Sequence, residues 1–393
     1  MKKKINIIEA IQVIFIEVFL FFLLLLFFHV ESVWMLIGLV LLVVLVVVFN
    51  RVKKARADKI KVLFRNNRSI VLGSLVVLLV LYPIISPLII RQSTYWLLIL
   101  IQTGLYLIVA LGLNIQLGST GMMNLAAAAF YGIGAYTAGL LSLRMGLPSV
   151  ITLPAAGIVA GLFGVILYVP IYKTKGHYLA LVTMAFGLMI ILALDNTEFT
   201  GASQGLMSIP SMSFFGYDFL SSLGGLHFYA NYYYLMLILV IVALVLSSRI
   251  FNSWIGLTFA TIRDDEIAAK CCGVNTRRTK LTSFVTGTVF MGVAGGFYAH
   301  MIGFISPPNF QFVESLFIVS IVILGGMDNI LGIVVGTLIL VILPEKMRVI
   351  TEYRVLIYGL LIVIMLIFRP EGLLPFKPRK FHPSLFKIGK GEE

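Results

Sequence analysis

Fifty-two consecutive residues, 92 to 143, carry no charged side chain. About 20 apolar residues cross a bilayer, so this run has room for two crossings, and the chain that holds it must fold in lipid. The composition agrees: 60% of residues are hydrophobic and only 12% are charged, against about a quarter charged in a soluble domain. Further apolar runs lie at 7–29, 33–49, 70–90, 95–117, 122–141, 149–172, 178–194, 231–248 and 281–304. A split region at 313–343 and a last run at 353–368 follow. Lipid leaves no partner for free backbone groups. The expected fold class is therefore an all-α polytopic membrane protein of about 10–12 transmembrane segments, with broken or re-entrant elements. Met1-Lys2-Lys3-Lys4 and the apolar run through Phe28 read as an uncleaved first span, because the run is too long for a signal peptide and no small-x-small site follows.

The net charge of +13 does not point to nucleic acid, because the basic residues fall in short segments between apolar runs. Eight Lys or Arg lie in 50–69, six in 249–280, and more in the tail from 369. Such segments face the cytoplasm, which places both termini there. Counting crossings from Lys2 returns the chain inside at 50–69 and again at 249–280. The region 313–343 must then begin and end outside, as two short helices or a re-entrant element. The organisation expected is a two-span extension with a basic loop (1–69), a transmembrane domain (70–368) and a basic cytoplasmic tail (369–393). The outward segment 195–230, rich in turn formers and aromatics, suggests a small extracellular platform. Cys271 and Cys272 are adjacent and give neither a disulfide framework nor metal-ligand spacing.

Within the uncharged run, Asn114, Gln116, Gly118, Ser119, Thr120, Gly121 and Asn124 crowd the join between two spans. Ala126 to Ala129, Gly132, Gly134, Ala135, Ala138 and Gly139 follow as a smooth helix surface, the kind that lets backbones approach closely in lipid. The polar join is either a tight turn or a broken helix facing a pathway, where unwound backbone offers hydrogen bonds to a passing solute. The glycines of "GIGAYTAG" lack the preceding strand that a dinucleotide motif needs. A second break, Gly325, Gly326, Asp328 and Asn329, interrupts 313–343, and Asp328 would be costly facing lipid. Both breaks run Leu-Gly, a polar stretch with Asn, then a small-residue helix, and paired interrupted segments point to a binding region. In 249–280, Ile262, Ile267 and Ala268 or Ala269 suit one apolar face of a short helix. The acids come early and Lys270 late, which complements the helix dipole, and Gly273 suits the stop. Such a segment is a solvated loop or a helix docked in a groove of a soluble partner.

Six blocks in order now carry a resemblance. They are "GLNIQLGSTGMMNLAAAAFYGIGAYTAGLL" (112–141), "TGASQGLMSIP" (200–210), "TIRDDEIAAKCCGVNTRRTKLTSF" (261–284), "GFISPPNF" (303–310), "VILGGMDNILGIVVGTLILVILPE" (322–345) and "FRPEGLL" (368–374). Over roughly residues 95 to 376 the chain resembles the LivM-type permease subunits of branched-chain amino-acid ABC transporters. It departs from many of them at Ala126-Ala127, where they carry a Gly-His or similar pair, and at Gly201-Ala202-Ser203, where they carry Gly-Gly-Ser.

The resemblance implies an importer permease for leucine, isoleucine and valine in the bacterial cell membrane. Its partners would be a LivH-like second permease, two cytosolic LivG- and LivF-like ATPases and an extracellular substrate-binding protein. It implies that Arg263, Asp264, Asp265, Glu266, Ala268, Ala269 and Gly273 contact the ATPase. The two breaks would line the translocation pathway, and Thr200, Gly201, Ser203 and Gly205 would lie on the extracellular face. The chain has no G-x-x-x-x-G-K-[ST] loop, so ATP and Mg would be bound by the partner ATPases, and no cofactor, metal or catalytic residue is expected here. Other classes are weaker. The same permease class with urea, short amides, other amino acids or nucleosides as cargo stays open. A secondary transporter needs ion-coupling acids at midplane, and a membrane enzyme needs a constellation that five scattered histidines do not provide.

Overall fold

The computed structural model describes residues 68–89, 93–214 apart from Lys173 and Lys175, 217–219 and 228–346, with Glu17, Val18, Phe21, Gly359, Val363 and Gly372 to Leu374. The expected spans at 7–29, 33–49 and 353–368, the basic segment to 67 and the tail from 369 lie outside the described residues, apart from those few positions. The chain divides into two compact units, Met1–Leu98 with Ser222–Ala230, and Ile99–Ser221 with Asn231–Glu393.

In the first unit, α1 (Arg68–Ile89) is apolar around most of its circumference. The Ser74 hydroxyl donates to the buried carboxylate of Glu17, which meets the need of an acid inside an apolar run for a partner. Phe21 and Tyr82 meet edge to face.

The second unit begins inside α2 (Ser93–Thr120) and continues through α3 (Ala127–Met145), α4 (Ser149–Ile171) and α5 (His177–Asn196). Two 3₁₀ turns and a hairpin of β1 (Ser213–Phe214) with β2 (Tyr217–Asp218) lead to α6 (Tyr229–Phe251). Two short helices, α7 (Trp254–Asp264) and α8 (Glu266–Cys271), precede α9 (Thr276–Ile302). A 3₁₀ turn at Pro307–Phe310, α10 (Phe312–Gly325) and α11 (Ile330–Lys346) complete it. Six helical segments among the described residues are long and apolar enough to cross a membrane. The protein is an all-α polytopic membrane protein.

Its packing inverts that of a soluble core. On α4, Ile158, Leu162, Ile166 and Val169 repeat at helical spacing and are exposed, while Ala156, Ala160, Gly161 and Gly164 on the opposite face are buried. Lipid is as apolar as leucine, so helices associate by close backbone approach instead. Helix α9 is the axis of this arrangement, wedged between α3 and α4. A Cβ on Gly295 would strike the Tyr131 carbonyl oxygen, and one on Gly134 would strike the backbone of Gly292.

The unit has two distinct ends. Near the start of α9, the Tyr168 hydroxyl donates to the Arg277 carbonyl at 2.7 Å. Past its last turn, Leu206 pairs with Ile305 in an isolated bridge, and Arg144 donates to the Phe199 carbonyl at 2.7 Å while stacking on its ring.

Two expectations sharpen here. Helix α2 runs three residues beyond 117, and α3 starts at Ala127, so the join is six unwound residues. The region 313–343 is two helices joined by a tight turn, where Gly326 (φ 109) and Asp328 (φ 62) lie outside helical space.

Candidate functional site: two helix breaks and a short helix pair

Both breaks are places where the backbone stops supplying its own hydrogen bonds, and side chains take over. In the first, the Leu125 amide donates to Thr183 Oγ1 at 3.0 Å, the Ala126 amide to Asn124 Oδ1 at 2.8 Å and the Ala128 amide to Ser315 Oγ at 3.0 Å. Non-helical backbone at membrane depth is tolerated where protein surrounds it, and Asn124 and Ala126 to Ala128 are buried. In the second, Asn329 Oδ1 accepts from the amides of Leu331 and Gly332, starting α11.

The two breaks meet. The Asp328 amide donates to Asn114 Oδ1 at 2.7 Å, and Ser119 Oγ donates to Asp328 Oδ1 at 2.9 Å. A Cβ on Gly118 would lie 2.6 Å from the Asp328 amide nitrogen, so glycine permits the approach. Gln116 ties the same region to α9. Its Nε2 donates to the Phe284 carbonyl at 2.7 Å, and its Oε1 accepts from Asn124 Nδ2 at 2.8 Å. Thr120 donates to the Gln116 carbonyl and lies 3.2 Å from Ser283 Oγ. Asn114, Gln116, Ser119, Thr120, Asn124 and Asp328 are all buried. The structure thus brings together the polar residues that the sequence marks at the two breaks, and turns them on one another as a polar lock. Gly121 (φ 70) leads out of α2. Gly325 packs on Gly332, and its carbonyl accepts from the Leu374 amide.

Arg263, at the end of α7, is part of this lock. Its guanidinium donates to the Gly118 carbonyl at 2.6 Å and lies 3.6 Å from Asp328 Oδ2. The other residues of the segment divide by role. Asp265 has extended backbone (φ −156, ψ 113), and its carboxylate accepts from the Ile267 and Ala268 amides. It therefore ends one helix and caps the next, which corrects the single apolar face expected of 262–269. Ile262 and Ala269 are buried, whereas Ile267 is 69% exposed and Ala268 is exposed. Glu266 is pinned at 2.9 Å to Lys280 and 3.4 Å to Lys270. Asp264 and Gly273 (φ 81) are exposed. Asp265→Ala is expected to cost about 0.5–2 kcal/mol of helix stability, seen as faster limited proteolysis of the 260–275 segment, while Asp264→Ala leaves the cleavage rate unchanged.

At the other end, Thr200 donates to the carbonyls of Leu194 and Thr197, both at 2.8 Å. Gly201 (φ 82) and Gly205 (φ 74) turn the chain, and Ser203 is exposed. Between the two ends lies a cavity of about 290 Å³ whose polar lining includes Gln102, Tyr106, Tyr131, Tyr298, Asn309 and Glu314. The Tyr106 hydroxyl donates to Glu314 Oε2 at 2.9 Å. Sequence reasoning passed over these residues. The available signal was that Glu314, Asp328 and Glu345 are the only acids between 276 and 351.

Comparison with known proteins agrees with this architecture. Residues 95–367 match the family described as branched-chain amino acid transport system / permease component. The chain is 39% identical over 290 residues to the high-affinity branched-chain amino acid transport system permease protein LivM of Escherichia coli (strain K12), covering 70% of this chain and 68% of that protein. The LivM protein of Salmonella typhimurium is 38% identical, with the same coverage. The Salmonella typhimurium permease LivH is 26% identical over 68% of this chain and 91% of its own length. No solved structure matches significantly. A match over most of the described membrane unit, with relatives of this identity and coverage, establishes that the chain belongs to the family of branched-chain amino acid transport system permease components.

Proposed function

We propose that the chain is a permease subunit of an ATP-driven importer of leucine, isoleucine and valine. In this reading it forms half of a translocation pathway with a second, LivH-like permease. Two cytosolic ATPases carry ATP and Mg, and an extracellular binding protein delivers the amino acid. The basic end, with Arg263, Arg277, Arg278 and Lys280, faces the cytoplasm by the positive-inside rule.

The observation that carries this reading is the insertion of Arg263 into the contact between the two helix breaks. A push on α7–α8 from a partner reaches the pathway through one side chain. Asp264, Ile267, Ala268 and Gly273 form the exposed surface that an ATPase would grip. Arg263 and Asp265 transmit or shape that movement, and Glu266 anchors α8 to α9. Closing the polar lock seals the cytoplasmic side, and opening it releases the solute. Thr200, Gly201, Ser203 and Gly205 belong to the face on which a loaded binding protein would settle.

Uptake of labelled leucine in cells with and without the chain, in a background lacking other leucine carriers, tests the reading. Loss of uptake on deletion, with competition by isoleucine and valine but not urea, is expected. Unchanged uptake overturns the substrate, and uptake that survives removal of the ATPases overturns the coupling.

A further inference from the structure

The side chains of the polar lock are buried and bonded to one another, whereas a cavity lies further along α2. The cavity beside α2 is lined by residues of α2, α3, α9, α10 and the 307–310 turn. Its volume of about 290 Å³ is at the small end of ligand pockets, which run from about 300 Å³ upward. That suits one small solute.

Its chemistry is two-sided. Leu105, Val109 and Ile318 line one part and offer contact to an aliphatic group. Glu314 supplies a carboxylate, with Tyr106 donating one hydrogen bond to it and Asn309 nearby on the lining. No Lys, Arg or His is among the residues lining the cavity. Glu314 is half-buried on this lining, and a carboxylate drawn out of water is costly unless a cation or several donors compensate it. A solute that brings its own ammonium group supplies that compensation. Helix α3 begins beside the cavity at Ala128, whose amide is taken by Ser315, so only the dipole of the helix, not that amide, favours a carboxylate there.

We propose that this cavity is a transient binding pocket for a zwitterionic amino acid with an aliphatic side chain, its ammonium held by Glu314 and its side chain by Leu105, Val109 and Ile318. The inference rests on the importer reading and assigns its cargo a place. It also separates recognition from release: cargo is held beside α10, while exit is controlled at the other end of the same helix, at Gly326 to Asn329.

The experiment uses the assembled transporter, with both permeases and both ATPases, in two assays. The first is ATP-driven leucine uptake with the binding protein present. The second is equilibrium binding of labelled leucine to the purified complex without the binding protein, competed by 4-methylpentanoate, which lacks the ammonium. Glu314→Gln is expected to weaken direct binding by about tenfold or more, as loss of a charge-assisted contact does. Glu314→Asp should retain more binding than Glu314→Gln, Val109→Trp should block the cavity, and 4-methylpentanoate should not compete. Full wild-type uptake with binding unchanged by both Glu314→Gln and Val109→Trp overturns the pocket and leaves the importer standing. Absence of wild-type leucine uptake overturns the importer reading and the pocket with it.

Discussion

Arg263→Ala is expected to lower leucine uptake by the assembled transporter about a hundredfold and to lower the ratio of uptake to ATP hydrolysis with it. The guanidinium joins α7 to the two helix breaks, donating to Gly118 and facing Asp328. Removing it leaves the Asp328 carboxylate, whose side chain is only 2% exposed, without that cation. Breaking a buried pair costs about 3–5 kcal/mol, and Arg263 is itself 29% exposed, so the lower end of that range applies. Arg263→Lys restores the charge but not the planar fork, and partial recovery is expected. A double-mutant cycle with Asp328→Asn checks the pairing: additive losses in the uptake-to-hydrolysis ratio would sink the transmission route.

The second large effect concerns folding. Gly295→Leu should abolish recovery of folded, detergent-extracted protein, read as loss of a monodisperse peak and of a cooperative thermal transition. The added Cβ meets the backbone oxygen of Tyr131, with the Ala135 nitrogen 2.8 Å away. Neither obstacle is the mobile end of a side chain, so α3 and α9 must separate. Overpacking a core costs about 1–3 kcal/mol and occasionally more, and a whole helix–helix contact is at stake here. Gly73→Leu is the control, because no atom lies within 4 Å of its added Cβ, and its thermal transition should stay close to that of the wild type. Equal recovery of the two variants would show that the α3–α9 seam is not the limiting contact.

Much of this architecture was legible because lipid imposes a simple rule on sequence. Apolar runs set the helices to within a few residues, and glycines two or three residues before an asparagine or aspartate marked both breaks. What the runs could not give was the partner of each break. Gly118 and Arg263 are 145 residues apart, and nothing local to "IRDDE" says that its arginine turns inward while the next residue stays exposed. The acids of that motif were equally opaque: Asp265 caps a helix and Asp264 does not, a distinction made by one extended backbone conformation. Glu314 was overlooked because an acid in the first turn of a helix is ordinary. Its significance comes from the tyrosines that α2, α3 and α9 bring to its side.

The turn between α10 and α11 is also held from far along the chain. The Leu373 amide donates to the Leu324 carbonyl at 2.8 Å, the Leu374 amide to the Gly325 carbonyl at 3.3 Å, and Asn329 Nδ2 donates to the Leu374 carbonyl at 3.3 Å. During biosynthesis, every helix of the described bundle has been synthesised before these residues are made. The nascent protein therefore passes through a stage in which these helices are all synthesised but the turn carrying Asp328 still lacks its last clasp. The order of translation makes this closure one of the final events of assembly.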